Sequence, residues 1–242
     1  MATRFVLAAL SLALAAGAAG CDGGGGGGSR PAVELGERLY NDAALSTSDF
    51  NDFTCATCHS AIADEGVLRT AGFPLANSAH RPGWWNRKTP QYLDAVNACL
   101  VFFMRSEAIE PGDPYGDALY EYLVSISPED PSPEVPFTVV RTVPIPAAGA
   151  ATAGQAVYDA SCRNCHGDPV TGNGRLTPAA TALGPDLSSL YDTMFPGISH
   201  DVIVAEKVRH GNLFGIGGNM PFFAVERMSD GELADLLAYL DL

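Results

Sequence analysis

A chain of 242 residues with 14 Lys and Arg against 28 Asp and Glu carries a formal charge of −14. Such a polyanion suits neither nucleic acid nor an anionic membrane surface, and it favours a basic protein partner. At about 100–200 residues per domain the length fits two small domains, and 47% apolar residues can fill two modest cores.

Residues 1–20 have the pattern of an export signal. Arg4 is followed by an apolar run from Phe5 and then by Gly17-Ala18-Ala19-Gly20. The run falls short of the roughly 20 residues of a membrane-crossing helix. Cys21 directly after Ala18-Ala19-Gly20 resembles a bacterial lipobox, in which the Cys is acylated and becomes the mature N-terminus. Ala18 stands where that motif usually has Leu. The six glycines of Gly23 to Gly28 read as a flexible tether over residues 21–30. The chain is therefore expected on the periplasmic side of a bacterial envelope, held to the membrane by lipid.

A first domain is expected over residues 31–127. Pro31 to Asn41 reads as a helix. Cys55-Ala56-Thr57-Cys58-His59 is a C-x-x-C-H pentapeptide, the attachment pattern of c-type haem. Two thiols most of a helical turn apart can each join one vinyl group of a single haem, and the adjacent His supplies a nitrogen to its iron. Pro74 is the candidate carbonyl for the second nitrogen of His59, a bond that sets the tautomer and ring plane. Thr89-Pro90 predicts a helix start. Tyr92, Ala95, Val96 and Cys99 then share one apolar face, so Cys99 points inward. Asp113-Pro114 opens another helix, whose buried face is Leu119, Tyr122, Leu123 and Ile126.

Residues 128–146 hold six prolines, which exclude a continuous helix and predict an extended linker. Within it, Phe137 to Val143 is a candidate short strand. The second domain is expected over residues 147–242. Gly154 to Asp159 leads into Cys162-Arg163-Asn164-Cys165-His166, a second complete pentapeptide. Zinc sites also use C-x-x-C, but their second ligand pair follows within about 12–20 residues. Here the two pairs lie more than 100 residues apart. Pro185 is the second candidate carbonyl. Asp201 to Arg209 reads as a helix stopped by Gly211. Met220, on a loop ahead of Pro221, is the candidate sixth iron ligand opposite His166, with His200 and His210 as alternatives. Ser229 and Glu232 form a capping box, and Leu233, Leu236, Leu237 and Leu240 line one face of a last helix.

With Gly184-Pro185, Asn219-Met220-Pro221 and that last helix around the Cys162 pentapeptide, the second half resembles class I cytochrome c. This implies an all-α fold of two haem domains joined by the Pro-rich linker, with His166 and Met220 on the second iron. The first half is similar to dihaem thiosulfate dehydrogenases and to the A subunit of sulfur-oxidising Sox cytochromes, on Ala95-Val96-Asn97-Ala98-Cys99 and Met104-Arg105-Ser106. That resemblance implies Cys99 as a thiolate ligand, since those families place such a Cys about forty residues after the haem His, and Cys99 lies 40 after His59. Glu107-Ala108 replaces their usual Asn-Gly.

For the first haem, Cys99, Met104 and His80 compete as sixth ligand. On one α-helix Cys99 and Met104 differ by about 140° in direction, so both face one iron only if the helix ends between them. Arg69, Arg81, Arg87, Lys88 and Arg105 against Asp94 make this stretch locally positive. Such a patch neutralises haem propionates, docks a partner or holds a small dianion. Trp84-Trp85 reads as core or haem packing. Two c-type haems and a basic redox partner follow, for an electron carrier. The alternative is an enzyme that oxidises a small sulfur anion at the first haem, with Cys99, Arg81 and Arg87 at its centre.

Overall fold

The computed structural model describes residues 29–63, 70–138, 140–144, 148–183, 185–213 and 220–242. The export signal, Cys21 and most of the tether lie outside them, as do Arg69, Gly184 and the three residues before Met220. Among the described residues all regular structure is helical apart from isolated bridge residues, Trp84 paired with Thr89 and, further on, Leu213. None of their helices is long and apolar enough to cross a membrane.

Helix α1 (Arg30–Asn41) precedes the short α2 (Cys55–Cys58), α3 (Tyr92–Cys99) and α4 (Pro114–Ser125). The Asp113 carboxylate caps α4 by accepting from the Tyr115 amide at 2.8 Å. The second half holds α5 (Ala151–Ser161), α6 (Arg163–His166), α7 (Pro185–Met194), α8 (His200–His210) and α9 (Asp230–Tyr239). At α9 the Ser229 hydroxyl accepts from the Glu232 amide while Glu232 reaches back to the Ser229 amide, the predicted capping box.

Three expectations differ from what is observed. Helix α3 begins at Tyr92 rather than at Thr89-Pro90, because the Thr89 amide and carbonyl are both bonded to Trp84. In the described part of Phe137 to Val143 no strand forms: the Phe137 ring turns into an aromatic cluster, and the Thr138 amide bonds the Glu226 carboxylate. Pro185, expected only as the carbonyl beneath the second histidine, starts α7, in keeping with the preference of Pro for the first helical turn.

Two apolar cores stand out, one in each half of the chain. The first gathers Leu39, Tyr40, Leu100, Met104, Leu119, Tyr122 and Leu123. The second gathers Tyr158, Cys162, Ile203, Met228, Leu233, Leu236 and Leu237. The framework of the second repeats that of the first, with α1 packed on α4 and α5 on α9. The segments Gly36-Glu37-Arg38-Leu39-Tyr40 and Gly154-Gln155-Ala156-Val157-Tyr158 do the same job in each. A Cβ on Gly36 would overlap the Ala118 carbonyl and Tyr122, and one on Gly154 would overlap the Asp235 carbonyl and Tyr239. One turn on from each glycine, the Tyr40 ring packs tilted against Tyr122 at 5.4 Å and Tyr158 against Tyr239 at 5.6 Å. Backbone cannot yield as a side chain can, so Gly154→Val is expected to destabilise by about 3 kcal/mol, the upper end for overpacking. Thermal unfolding followed by circular dichroism checks this; an unchanged midpoint would show that α5 can move off α9.

Candidate haem sites

The two pentapeptides fold alike. Thr54 and Thr57 make a reciprocal cap that starts α2 at Cys55, and the His59 amide closes the turn on the Cys55 carbonyl at 2.9 Å. In the second, the His166 amide bonds the Cys162 carbonyl, also at 2.9 Å. One turn of helix thus brings both thiols and the imidazole of each motif together. The tyrosines of the repeated framework hold these turns: Tyr40 donates to the His59 carbonyl, and Tyr158 donates to the Gly167 carbonyl at 2.9 Å. None of the five described cysteines is in a disulfide.

Each histidine is held by one nitrogen. The His59 Nδ1 lies 2.8 Å from the Phe73 carbonyl, and the His166 Nδ1 lies 2.8 Å from the Thr181 carbonyl. A carbonyl only accepts, so Nδ1 carries the proton and Nε2 keeps its lone pair for a metal. Burial, more than any neighbour, holds both imidazoles below the usual histidine range and hence neutral. The carbonyls are not those predicted. Phe73 serves instead of Pro74, because the Gly72 amide bonds the Cys58 carbonyl at 2.8 Å and brings the next residue over the ring. Thr181 serves instead of Pro185, whose backbone is committed to α7.

Gly72 lies so close that a Cβ there would overlap the His59 ring and the Cys58 carbonyl. Gly72→Ala should therefore turn His59 out of line and reduce haem attachment at the first site. Haem content per chain, measured after alkaline pyridine treatment, tests this, and full content would show that the loop accommodates the methyl group.

Beside the first pentapeptide opens a cavity of about 260 Å³ lined by Cys55, Cys58, His59, Tyr92, Val96 and Leu100, among others. Both Cys99 and Met104 line it. On a continuous α-helix they would differ by about 140° in direction. In the structure α3 ends at Cys99 and a π-helical turn follows over Leu100–Met104. Its i→i+5 bonds bring residues five apart onto one face, so both sulfurs reach one space. Burial pushes the Cys99 thiol up to about 12, with Cys55 adding to it. A thiolate there needs a cation, and a bound ferric iron would supply one. His80 does not line the cavity; its amide and carbonyl are tied to Ser132.

Trp84 and Trp85 form cavity wall, with Trp85 stacked on Phe103 at 6.2 Å. Trp85, Asn86 and Arg87 all have left-handed backbone, φ 51°, 57° and 62°. Non-glycine residues in that conformation cost about 1–2 kcal/mol each, a strain of the kind that collects at functional sites. Of the cations, Arg81 and Arg87 line the cavity, whereas Lys88 and Arg105 do not. Arg87 is ion-paired to Glu134, and Arg81 donates to the Pro133 carbonyl at 3.2 Å. The Pro-rich segment is thus no free spacer: Glu134, Val135 and Phe137 complete the cavity wall.

The second half reaches the first site as well. Pro221 and Phe222 line the same cavity, with Phe222 6.1 Å from Phe103 and 5.8 Å from Phe137. Met220, two residues earlier, packs on the core that contains Cys162. Its loop is anchored by buried Arg209, which donates to the Phe223 and Met228 carbonyls at 3.1 and 2.6 Å. His200 is engaged by Asp192, and His210 holds acceptors on both nitrogens, Glu206 and the Val140 carbonyl. That pairing, led by the Val140 bond, raises the His210 pKa. Its contribution to stability is therefore full below the ordinary histidine range and lost as pH rises through the raised value. Leu176, whose amide bonds the Cys165 carbonyl at 3.0 Å, packs on the first core, and Ala71, beside the first histidine's loop, packs on the second, so the two halves meet next to the pentapeptides.

Four residues matter here in roles that their local sequence does not assign: Tyr40, which the helix pattern offers only for packing, Tyr158, Gly72 and Arg227. The repeated Gly-x-x-x-Tyr was a legible signal for the first two. Nothing local marks the others, whose partners are distant in the chain.

Residues 149–240 match the family model described as cytochrome c oxidase, cbb3-type, subunit III. This region is class I cytochrome c-like, which implies covalently bound haem and electron transfer. None of the curated proteins matches the chain. Among solved structures, thiosulfate dehydrogenase TsdBA from Marichromatium purpuratum in its as-isolated form is similar at 17% identity with a TM-score of 0.42. That match covers 87% of this chain but only 45% of the other, so this chain spans under half its length. A likeness of that degree decides neither fold nor substrate.

Proposed function

We propose that the chain is an exported dihaem c-type cytochrome that carries electrons between periplasmic redox partners. One haem is attached through Cys55 and Cys58 with His59 on its iron, the other through Cys162 and Cys165 with His166. The observation that carries this is the duplicated site, in which each histidine is neutral, fixed through Nδ1 and open at Nε2 beside two free thiols. When bound, the haems supply one-electron chemistry. The protein's part is to orient the imidazoles, exclude water from the first cavity and keep the pentapeptides close enough for transfer between them. We assign Met220 as the second iron's sixth ligand and Cys99 as the first's, with Met104 as the competitor. The mass of the mature protein tests the count: the chain plus two haems is expected, and one haem would reduce the first pentapeptide to a structural turn.

A second reading, thiosulfate dehydrogenase-like oxidation of a small sulfur anion at the first haem, has one favouring observation, the half-buried Arg81 on the cavity wall. Ion pairing of Arg87 with Glu134 leaves less charge for a dianion than the sequence suggested. Anaerobic mixing of oxidised protein with thiosulfate separates the two: haem reduction lost in Cys99→Ala favours the enzyme, and no reduction leaves the carrier. Cys21 is proposed as the lipidated N-terminus, and an unacylated mature N-terminus by mass spectrometry would refute that. The charge of −14 favours a basic partner, whose association should slow as salt rises.

A further inference from the structure

Arg227 belongs to the second half of the chain yet serves the first site. Its side chain is buried, with the residue 6% exposed. Its Nε and Nη2 both donate to the Thr70 carbonyl, at 3.0 and 2.8 Å. Its guanidinium carbon lies 5.6 Å from the centre of the Phe73 ring, within cation–π range. Thr70 to Phe73 is the segment that wraps His59, and its last carbonyl accepts the hydrogen bond from His59 Nδ1–H. Arg227 thus pins, from 157 residues away, the loop that aims the first histidine. An arginine keeps its proton at every pH a protein survives, so the position is a permanent positive charge behind His59.

We propose that Arg227 is a positioning residue by which the second half sets the electron affinity of the first haem site. The proposal rests on the dihaem reading. Adding an electron to the iron lowers the charge of the site by one. A buried cation close by favours that reduced state, more strongly in a low-dielectric interior than in water. The first site is read as thiolate-ligated, which depresses its potential, and Arg227 opposes that depression. Its two hydrogen bonds to the Thr70 carbonyl also make the first site depend on the second half being folded against it.

The test is spectroelectrochemical titration of the full-length, haem-loaded protein after haem content has been measured. The sites are told apart by the Met220→Ala protein, in which the second should move far more than the first. Arg227→Gln keeps a donor for the Thr70 carbonyl but removes the charge. It is expected to lower the reduction equilibrium constant of the first site at least tenfold, about 59 mV for one electron, with a smaller change at the second. Arg227→Lys retains the charge and should stay near wild type. Arg227→Met serves as the neutral variant if the glutamine protein fails to load haem. An unchanged first potential, equal falls in the Gln and Lys proteins, or failure of both neutral variants to load the first haem would each overturn the proposal. One haem per wild-type chain would instead refute the dihaem reading and leave Arg227 as a structural clamp.

Discussion

Met220→Ala is expected to lower the higher of two midpoint potentials and to leave the lower one nearly unchanged. A thioether opposite an imidazole stabilises ferrous iron. Losing it to water should shift that potential on the order of 0.1–0.3 V, within the span of about 0.8 V that axial ligands cover. The effect should stay local. The Met220 loop is clamped to the second core by Arg209 through the Phe223 and Met228 carbonyls, so the truncated side chain leaves its frame standing. The aromatic contacts of Phe222 with Phe103 and Phe137 give the first site a small secondary response. Redox titration at optical wavelengths reads both transitions. Movement of the lower potential alone would show that Met220 does not ligate the second iron.

Cys99→Ala should raise the lower potential by a comparable amount, on the order of 0.1–0.3 V. The reason is the π-turn: with the thiolate gone, Met104 still lines the same cavity, and a thioether is a weaker electron donor than a thiolate. Met104→Ala should cost stability, because Met104 is buried in the first core. Removal of a core Met typically costs about 2–5 kcal/mol. The lower potential should then change little. Electron paramagnetic resonance of the oxidised protein, paired with the redox titration, distinguishes the cases. If Met104→Ala moves the potential and Cys99→Ala does not, the ligands are exchanged in role and the first site has a higher potential than proposed.

What the sequence by itself determined was the turns and caps whose bonding groups lie within one helical element. The spacing of Cys55, Cys58 and His59, repeated at Cys162, Cys165 and His166, depends only on local helix geometry. So do the Asp113 cap, the Ser229–Glu232 capping box and the apolar face of α9, and all of them are found where the pattern put them. The folded chain decided whatever depended on a partner outside the element or on a departure from regular helical pitch. The carbonyl under each histidine moved to Phe73 and Thr181 because backbone bonds to Cys58 and the start of α7 set where those loops pass. Thr89 could not cap α3 because Trp84 took its backbone groups. Cys99 and Met104 came to share a cavity because the chain leaves α-helical pitch after Cys99, which periodicity read at 100° per residue cannot register. The Pro-rich segment was legible as extended, but its place against the cavity depends on the loop from Asn77 to Arg87. Arg227 had no local signature at all: its role arises only because folding places a C-terminal guanidinium behind an N-terminal histidine.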